Sequence, residues 1–135
     1  MNKRNLALTL GVAILLAAPL SFAADSANQE ISTATTHAGM AANAADVATA
    51  HEHFHHVINC LVGPKGRLFD ADVGNPCKGM GNGALRDVKR QSEEHAKLLD
   101  ALKLAEQALH ADTLKATQQY AARISKALKG IEPGM

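Results

Sequence analysis

The sequence has few aromatic side chains and no excess of positive charge. It contains no Trp, one Tyr and three Phe, so it offers few surfaces on which bases or sugars could stack. Its 14 Lys and Arg residues nearly balance its 13 Asp and Glu residues, which gives a formal net charge of +1. Without a basic excess to attract phosphates, a nucleic-acid-binding role is disfavoured.

Motifs of the common enzyme classes are also missing. The chain has no Walker-type phosphate-binding loop and no Gly-x-Ser-x-Gly elbow for a nucleophilic serine. Its Ser, His and Asp residues do not form a set that spacing would mark as a catalytic triad. We therefore expect a non-catalytic protein.

Residues 1–23 have the pattern of a secretory signal peptide. Two basic residues provide a positive start, residues 6–18 form an apolar stretch, and Ser21 and Ala23 are the small residues that a signal peptidase reads. The apolar stretch is too short to span a bilayer comfortably. We therefore predict cleavage after Ala23, export to the bacterial periplasm, and no membrane association once the signal peptide is removed.

Two cysteines remain in the exported chain. Cys60 and Cys77 are its only Cys residues, and an even number of Cys in an exported protein indicates a disulfide. Their separation excludes the Cys-x-x-Cys pattern of thioredoxin-type sites and of covalent haem attachment. We predict a Cys60–Cys77 disulfide, whose loop closure would stabilise the fold by on the order of 3 kcal/mol.

Hydrophobic periodicity divides the mature chain into segments. Residues 24–36 are mostly small and polar, which predicts a flexible leader. Apolar residues recur at steps of three and four over residues 40–62, over residues 85–109 and from Leu114 onward, which predicts three helices. Between the first two, residues 63–83 contain six Gly and two Pro, so we expect an irregular loop there.

These segments predict an all-α protein, a small antiparallel three- or four-helix bundle with a Gly-rich loop pinned by the disulfide. Residues 37–135 would form the bundle domain. A short break with Asp112 or Thr113 as N-cap joins the last two helices, which should therefore form an antiparallel hairpin. A fourth helix would come from folding of the leader or from a second chain, so a homo-oligomer is one alternative.

Histidine is unusually abundant, with seven residues, four of them within residues 51–56. His51 and His55 are four residues apart and share one helix face. His95 lies in the middle of the apolar face of the second predicted helix, with Glu94 beside it, and an inward imidazole needs a partner. Antiparallel packing of the two helices would bring the three imidazoles and the carboxylate together as a site for copper, zinc or nickel.

The other histidines are expected to have different surroundings. His53 and His56 fall on the opposite side of the first predicted helix, where they would face solvent or the loop. His37 and His110 are isolated in the sequence, and a solvated surface position is expected for each. For His95 the alternative to metal binding is a hydrogen bond to a neighbouring carbonyl or polar side chain.

The C-terminal hairpin carries a family resemblance. Residues 105–116, Ala-Glu-Gln-Ala-Leu-His-Ala-Asp-Thr-Leu-Lys-Ala, continuing to Lys126-Ala127-Leu128, resemble the alanine-spaced, His-containing hairpins of small periplasmic metal-binding proteins of bacteria. Those proteins are His-rich helical bundles that bind copper and other divalent metals, and the resemblance implies the same ligands here. This hairpin departs from that family because it keeps only His95 and His110.

The resulting hypothesis is periplasmic binding of a transition metal, for buffering or sequestration, with the metal ion as the expected partner. One alternative is a structural or partner-binding module that uses the disulfide-pinned loop as its recognition surface. Another is a non-covalent haem or redox bundle in which His95 and Met40, or another His, supply the axial ligands.

Overall fold

The computed structural model of the chain describes residues 20–131 and, from Phe22 onward, their side chains. Residues 1–19 of the predicted signal peptide and residues 132–135 lie outside the described residues. The described part of the chain is helical and contains no strand. Its helices are α1 (Leu20–Ala42), α2 (Val47–Val62), α3 (Ala84–Asp87), α4 (Glu93–Ala108) and α5 (Leu114–Lys129).

The four long helices form an antiparallel bundle. α1 packs against α2 and α5, and α4 packs against the same two helices. Residues 43–46 join α1 to α2, and residues 109–113 join α4 to α5; connections this short make the joined helices antiparallel. His51 at the start of α2 contacts Ala111, just after the end of α4, so these two helices also run in opposite directions. The predicted all-α bundle is confirmed in its four-helix form.

The prediction of a flexible leader at residues 24–36 is corrected by α1, which contains all of them. Small or apolar side chains recur along α1 at steps of four and three, and all are buried: Ala27, Ile31, Ala34, Ala38 and Ala41. Such a regular stripe is the buried face of a helix, and its small side chains allow α1 to lie close to its neighbours. Composition alone misses this helix because Ala, Ser and Thr dominate it even where its buried face is continuous.

Capping residues set the helix boundaries more narrowly than periodicity does. α2 begins at Val47, later than predicted, because the side chain of Asp46 accepts a hydrogen bond of 2.8 Å from the backbone N–H of Thr49 and so caps the helix. Thr113 caps α5 in the same way. The N-cap predicted before the last helix is therefore confirmed.

The predicted helix over residues 85–109 is interrupted at residues 88–92. Gln91 has a φ of +63°, a left-handed conformation that a right-handed helix does not contain. Ser92 then caps α4 by accepting a hydrogen bond from the backbone N–H of His95. His95 consequently lies in the first turn of α4 and not in the middle of a long helix.

The loop over residues 63–83 is irregular, as predicted, and it is covalently tied to α2. The predicted Cys60–Cys77 disulfide is confirmed, with Cα atoms 5.3 Å apart. The two ends of the loop, Gly63 and Gly83, lie against each other. A Cβ atom on Gly83 would be only 2.5 Å from the backbone nitrogen of Gly63. Because Gly83 also has a φ of +105°, both the space and the backbone conformation at this position require glycine.

Within residues 20–131, no helix combines the length and the apolar character needed to cross a bilayer. The disulfide is compatible with the predicted export, since such bonds persist in oxidising compartments. Cleavage after Ala23 would remove only the first turn of α1 as described. The rest of α1, including His37, would stay in the mature chain.

Candidate metal centre

Three imidazole rings meet between α1 and α2. His53 and His56 lie one turn apart on α2, and His37 comes from the antiparallel α1 beside it. The ring centroid of His37 is 5.4 Å from that of His53 and 4.7 Å from that of His56. All three side chains are half-buried. We call His37, His53 and His56 the histidine triad.

The ring nitrogens of the histidine triad have a spacing that suits a transition metal. One nitrogen from each ring lies within 4.8 Å of the other two, and Nδ1 of His37 is 3.2 Å from Nδ1 of His53. Two nitrogens bound at about 2.0–2.1 Å to a tetrahedral zinc ion are about 3.3 Å apart. The observed pair therefore matches one edge of a tetrahedral coordination sphere.

The hydrogen bonding of His56 prepares one of its nitrogens for a ligand. Its Nε2 lies 2.6 Å from the carbonyl oxygen of Val73 in the loop, and since a carbonyl only accepts, Nε2 must carry the proton. In the neutral ring, Nδ1 of His56 then has the lone pair, and this atom is buried without a hydrogen-bond partner. A ring nitrogen held by a backbone carbonyl while the other faces the metal is the usual arrangement of a metal-binding histidine.

Burial disfavours the charged form of two members of the histidine triad, His37 and His53. It lowers the pKa of His37 to about 4, with smaller contributions from the positive charges that His56 and His53 would carry. The pKa of His53 is lowered for the same reasons, first by burial and then by His56, while Glu52 acts in the opposite direction. Only neutral imidazole donates a lone pair to a metal, so a lowered pKa reduces the competition of protons with a metal ion for His37 and His53.

The residues predicted as ligands on α2 contact other parts of the bundle. Among residues 20–131, the histidine triad is the one group of three or more His, Cys, Asp or Glu residues whose ligand atoms lie within 4.8 Å of one another. Nε2 of His51 lies 2.8 Å from the carbonyl oxygen of Ala111. Nδ1 of His55 lies 3.7 Å from a carboxylate oxygen of Asp70 in the loop. The two histidines of the predicted pair therefore contact different segments of the protein, His51 the α4–α5 connection and His55 the loop.

The predicted ligands on α4 lie at the far end of the bundle from His51. His51 is beside Ala111, just beyond the end of α4, whereas His95 and Glu94 are in the first turn of that helix. The length of α4 separates the two places by on the order of 20 Å. The prediction that these imidazoles and the carboxylate form one site is wrong, because antiparallel packing puts them at opposite ends.

Glu94 has a local role at the start of α4. Its carboxylate accepts hydrogen bonds from its own backbone N–H and from the side chain of Ser92, and these bonds hold its pKa below the usual value. A carboxylate in the first turn of a helix is also favoured by the helix dipole. Glu94 therefore stabilises the N-terminus of α4.

The histidine triad is not predictable without α1, which supplies His37. His37 appeared isolated only as long as residues 24–36 had no structure, and His53 and His56 then had no partner to face. The available signal was the stripe of buried residues through Ala34 and Ala38, because His37 lies beside that stripe. If this stripe is recognised as the buried face of a helix, His37 lies next to that face and can contact α2.

A second ionisable group is buried two turns before His37 on α1. Glu30 is only 1 % exposed, and its Oε1 accepts a hydrogen bond of 2.8 Å from the backbone N–H of Gly83. Burial raises the pKa of Glu30 to about 7 against the effect of this hydrogen bond, and the nearby Asp87 carboxylate raises it further. Oε2 of Glu30 is buried without a hydrogen-bond partner, a position that disfavours the charged carboxylate.

Comparisons with protein-family models, with curated proteins and with solved structures found no match to this chain. The resemblance of the C-terminal hairpin to His-rich periplasmic proteins thus stays a prediction.

Proposed function

We propose that this protein binds a divalent transition-metal ion in the bacterial periplasm through His37, His53 and His56, as a metal buffer or sequestering protein. One observation carries the proposal most strongly: Nδ1 of His56 is buried without a hydrogen-bond partner, within a cluster of three imidazoles. A buried polar atom without a partner is costly, and a shared metal ion would satisfy it.

The ligand set indicates the class of metal. Imidazole nitrogens suit zinc, copper and nickel, whereas calcium and magnesium prefer oxygen ligands. The histidine triad contains no carboxylate, so it favours the transition metals. This is the class predicted from sequence, bound by other residues.

The number of protein ligands fits a metal ion that can be exchanged. Structural zinc sites are closed by four protein ligands, whereas three ligands leave a position for water or another molecule. The three histidines are also half-buried and not fully enclosed. Both features fit an ion that is taken up and released, which is the behaviour of a buffering protein.

Metal titration of histidine variants tests the proposal. His37→Ala, His53→Ala and His56→Ala should each weaken Zn(II) or Cu(II) binding by more than tenfold, or about 1.4 kcal/mol. His110→Ala is the matched control, because His110 is exposed and lies outside the histidine triad. Isothermal titration calorimetry of the purified protein provides the affinities.

Two further variants separate this site from the one predicted by sequence. His51→Ala and His55→Ala should leave the affinity nearly unchanged, since each side chain contacts a different part of the bundle. Large losses from these two variants, with none from the histidine triad, would contradict the proposal. Equal small losses from every histidine variant would also contradict it, because they would indicate diffuse adsorption.

A further inference from the structure

A buried asparagine side chain holds the loop segment that faces the histidine triad. Asn59 lies one turn after His56 on α2 and is fully buried. Its Nδ2 donates hydrogen bonds to the carbonyl oxygens of Asp70, at 2.6 Å, and Gly74, at 2.7 Å. Its Oδ1 accepts a bond of 2.9 Å from the backbone N–H of Asp70. Both donors and the acceptor of this amide are used.

These hydrogen bonds fix the backbone on either side of Val73. Asp70 and Gly74 bracket Val73 in the loop, and both are held by the same amide group of Asn59. The carbonyl oxygen of Val73 is therefore presented to α2 in one orientation. That oxygen accepts a hydrogen bond of 2.6 Å from Nε2 of His56.

We infer that Asn59 is a positioning residue for the metal site, acting through the Val73 carbonyl on His56. Asn59 fixes the loop, the loop carbonyl holds the Nε2–H tautomer of His56, and this tautomer leaves Nδ1 with its lone pair. The inference depends on the proposed function, because the role of the tautomer is to present a metal ligand. Loss of such an indirect partner typically lowers metal affinity by about 10- to 100-fold.

The tautomer itself can be measured in the wild-type protein without metal. Nitrogen-15 NMR of the imidazole groups distinguishes a protonated from an unprotonated ring nitrogen. We expect the neutral His56 ring to carry its proton on Nε2, which donates to the Val73 carbonyl. A His56 ring that carries its proton on Nδ1, or that exchanges between the two forms, would overturn the inference. This measurement needs no metal binding and no variant that folds.

A pair of matched variants then tests the effect on metal. Asn59→Ala should lower the Zn(II) affinity at least tenfold and leave His56 in a mixture of tautomers. Asn75→Ala is the control, since Asn75 lies in the same loop but its side chain accepts a hydrogen bond from Cys77 within the loop. We expect this control to keep both the affinity and the tautomer.

The outcomes separate this inference from the proposed function. Zn(II) binding that is equally strong in Asn59→Ala and in the wild type would overturn the positioning role alone. The absence of Zn(II) binding in the wild-type protein would overturn the proposed function, and with it the role of Asn59 in metal binding. A fixed Nε2–H tautomer together with a selective loss in Asn59→Ala would support both.

Discussion

The buried carboxyl group of Glu30 should make the stability of the bundle depend on pH. Its pKa is about 7 in the folded protein, compared with 4.5 for an exposed glutamate, so the folded state binds its proton more tightly than the unfolded state does. The stabilisation from this group is fully present below pH 4.5 and is lost as the pH rises through 7. The difference between these two pKa values corresponds to a loss of at most about 3 kcal/mol in the free energy of unfolding.

Substitution of Glu30 by glutamine isolates this contribution. In Glu30→Gln the amide oxygen can still accept the hydrogen bond from the backbone N–H of Gly83, and the amide has nearly the same size as the carboxyl group but does not titrate. The variant should therefore gain stability over the wild type as the pH is raised from 4.5 to 8, by up to about 3 kcal/mol. The difference between the two proteins removes the contributions of the histidines, which are present in both.

Urea unfolding followed by circular dichroism at several pH values measures this difference. Glu106→Gln is a suitable control, because Glu106 lies on α4, which makes no contact with α1. That variant should differ from the wild type by an amount that hardly changes with pH. If the difference between Glu30→Gln and the wild type were also constant from pH 4.5 to 8, the reasoning about the buried Glu30 carboxyl would be refuted.

Three other predictions concern the mature chain and its metal. Intact mass should place the N-terminus at Ala24, and a retained signal peptide would contradict export with processing. Protein isolated from the periplasm should contain no free thiol, and reduction of the Cys60–Cys77 bond should lower the melting temperature; two reactive thiols per native chain would contradict the disulfide. Zn(II) affinity should fall on acidification toward pH 4, where His37 becomes protonated and protons compete with the metal. An affinity that is equal at pH 7 and pH 4, measured by calorimetry, would exclude His37 as a ligand.

Much of the fold could be predicted because its signals are local. Gly-rich composition predicts the irregular loop, two Cys in an exported chain predict the disulfide, and Thr113 with the apolar periodicity after it predicts α5. α1 could not be found from composition, because its buried face consists mainly of Ala. A single methyl group contributes little to hydrophobicity, even though it decides how closely two helices approach.

The candidate site was harder to predict, since it depends on which helices become neighbours. Periodicity places His51 and His55 on one face of α2, but it does not say whether α1 or α4 covers a given face. The partner of His53 and His56 comes from a helix that composition did not reveal. The position of His95 was also hard to predict. The left-handed backbone of Gln91 interrupts the predicted helix, so α4 begins at Glu93 and His95 lies in its first turn.

X-ray absorption spectroscopy of the metal-loaded protein tests the central claim most directly. With one equivalent of Zn(II) bound, the proposed site predicts about three imidazole nitrogens at about 2.0–2.1 Å, with the outer-shell scattering that imidazole rings produce. This scattering should be lost when His37, His53 and His56 are all replaced by Ala, and should remain when His51 and His55 are replaced. A spectrum with no imidazole ligands, or one unchanged by the triple replacement, would contradict the account.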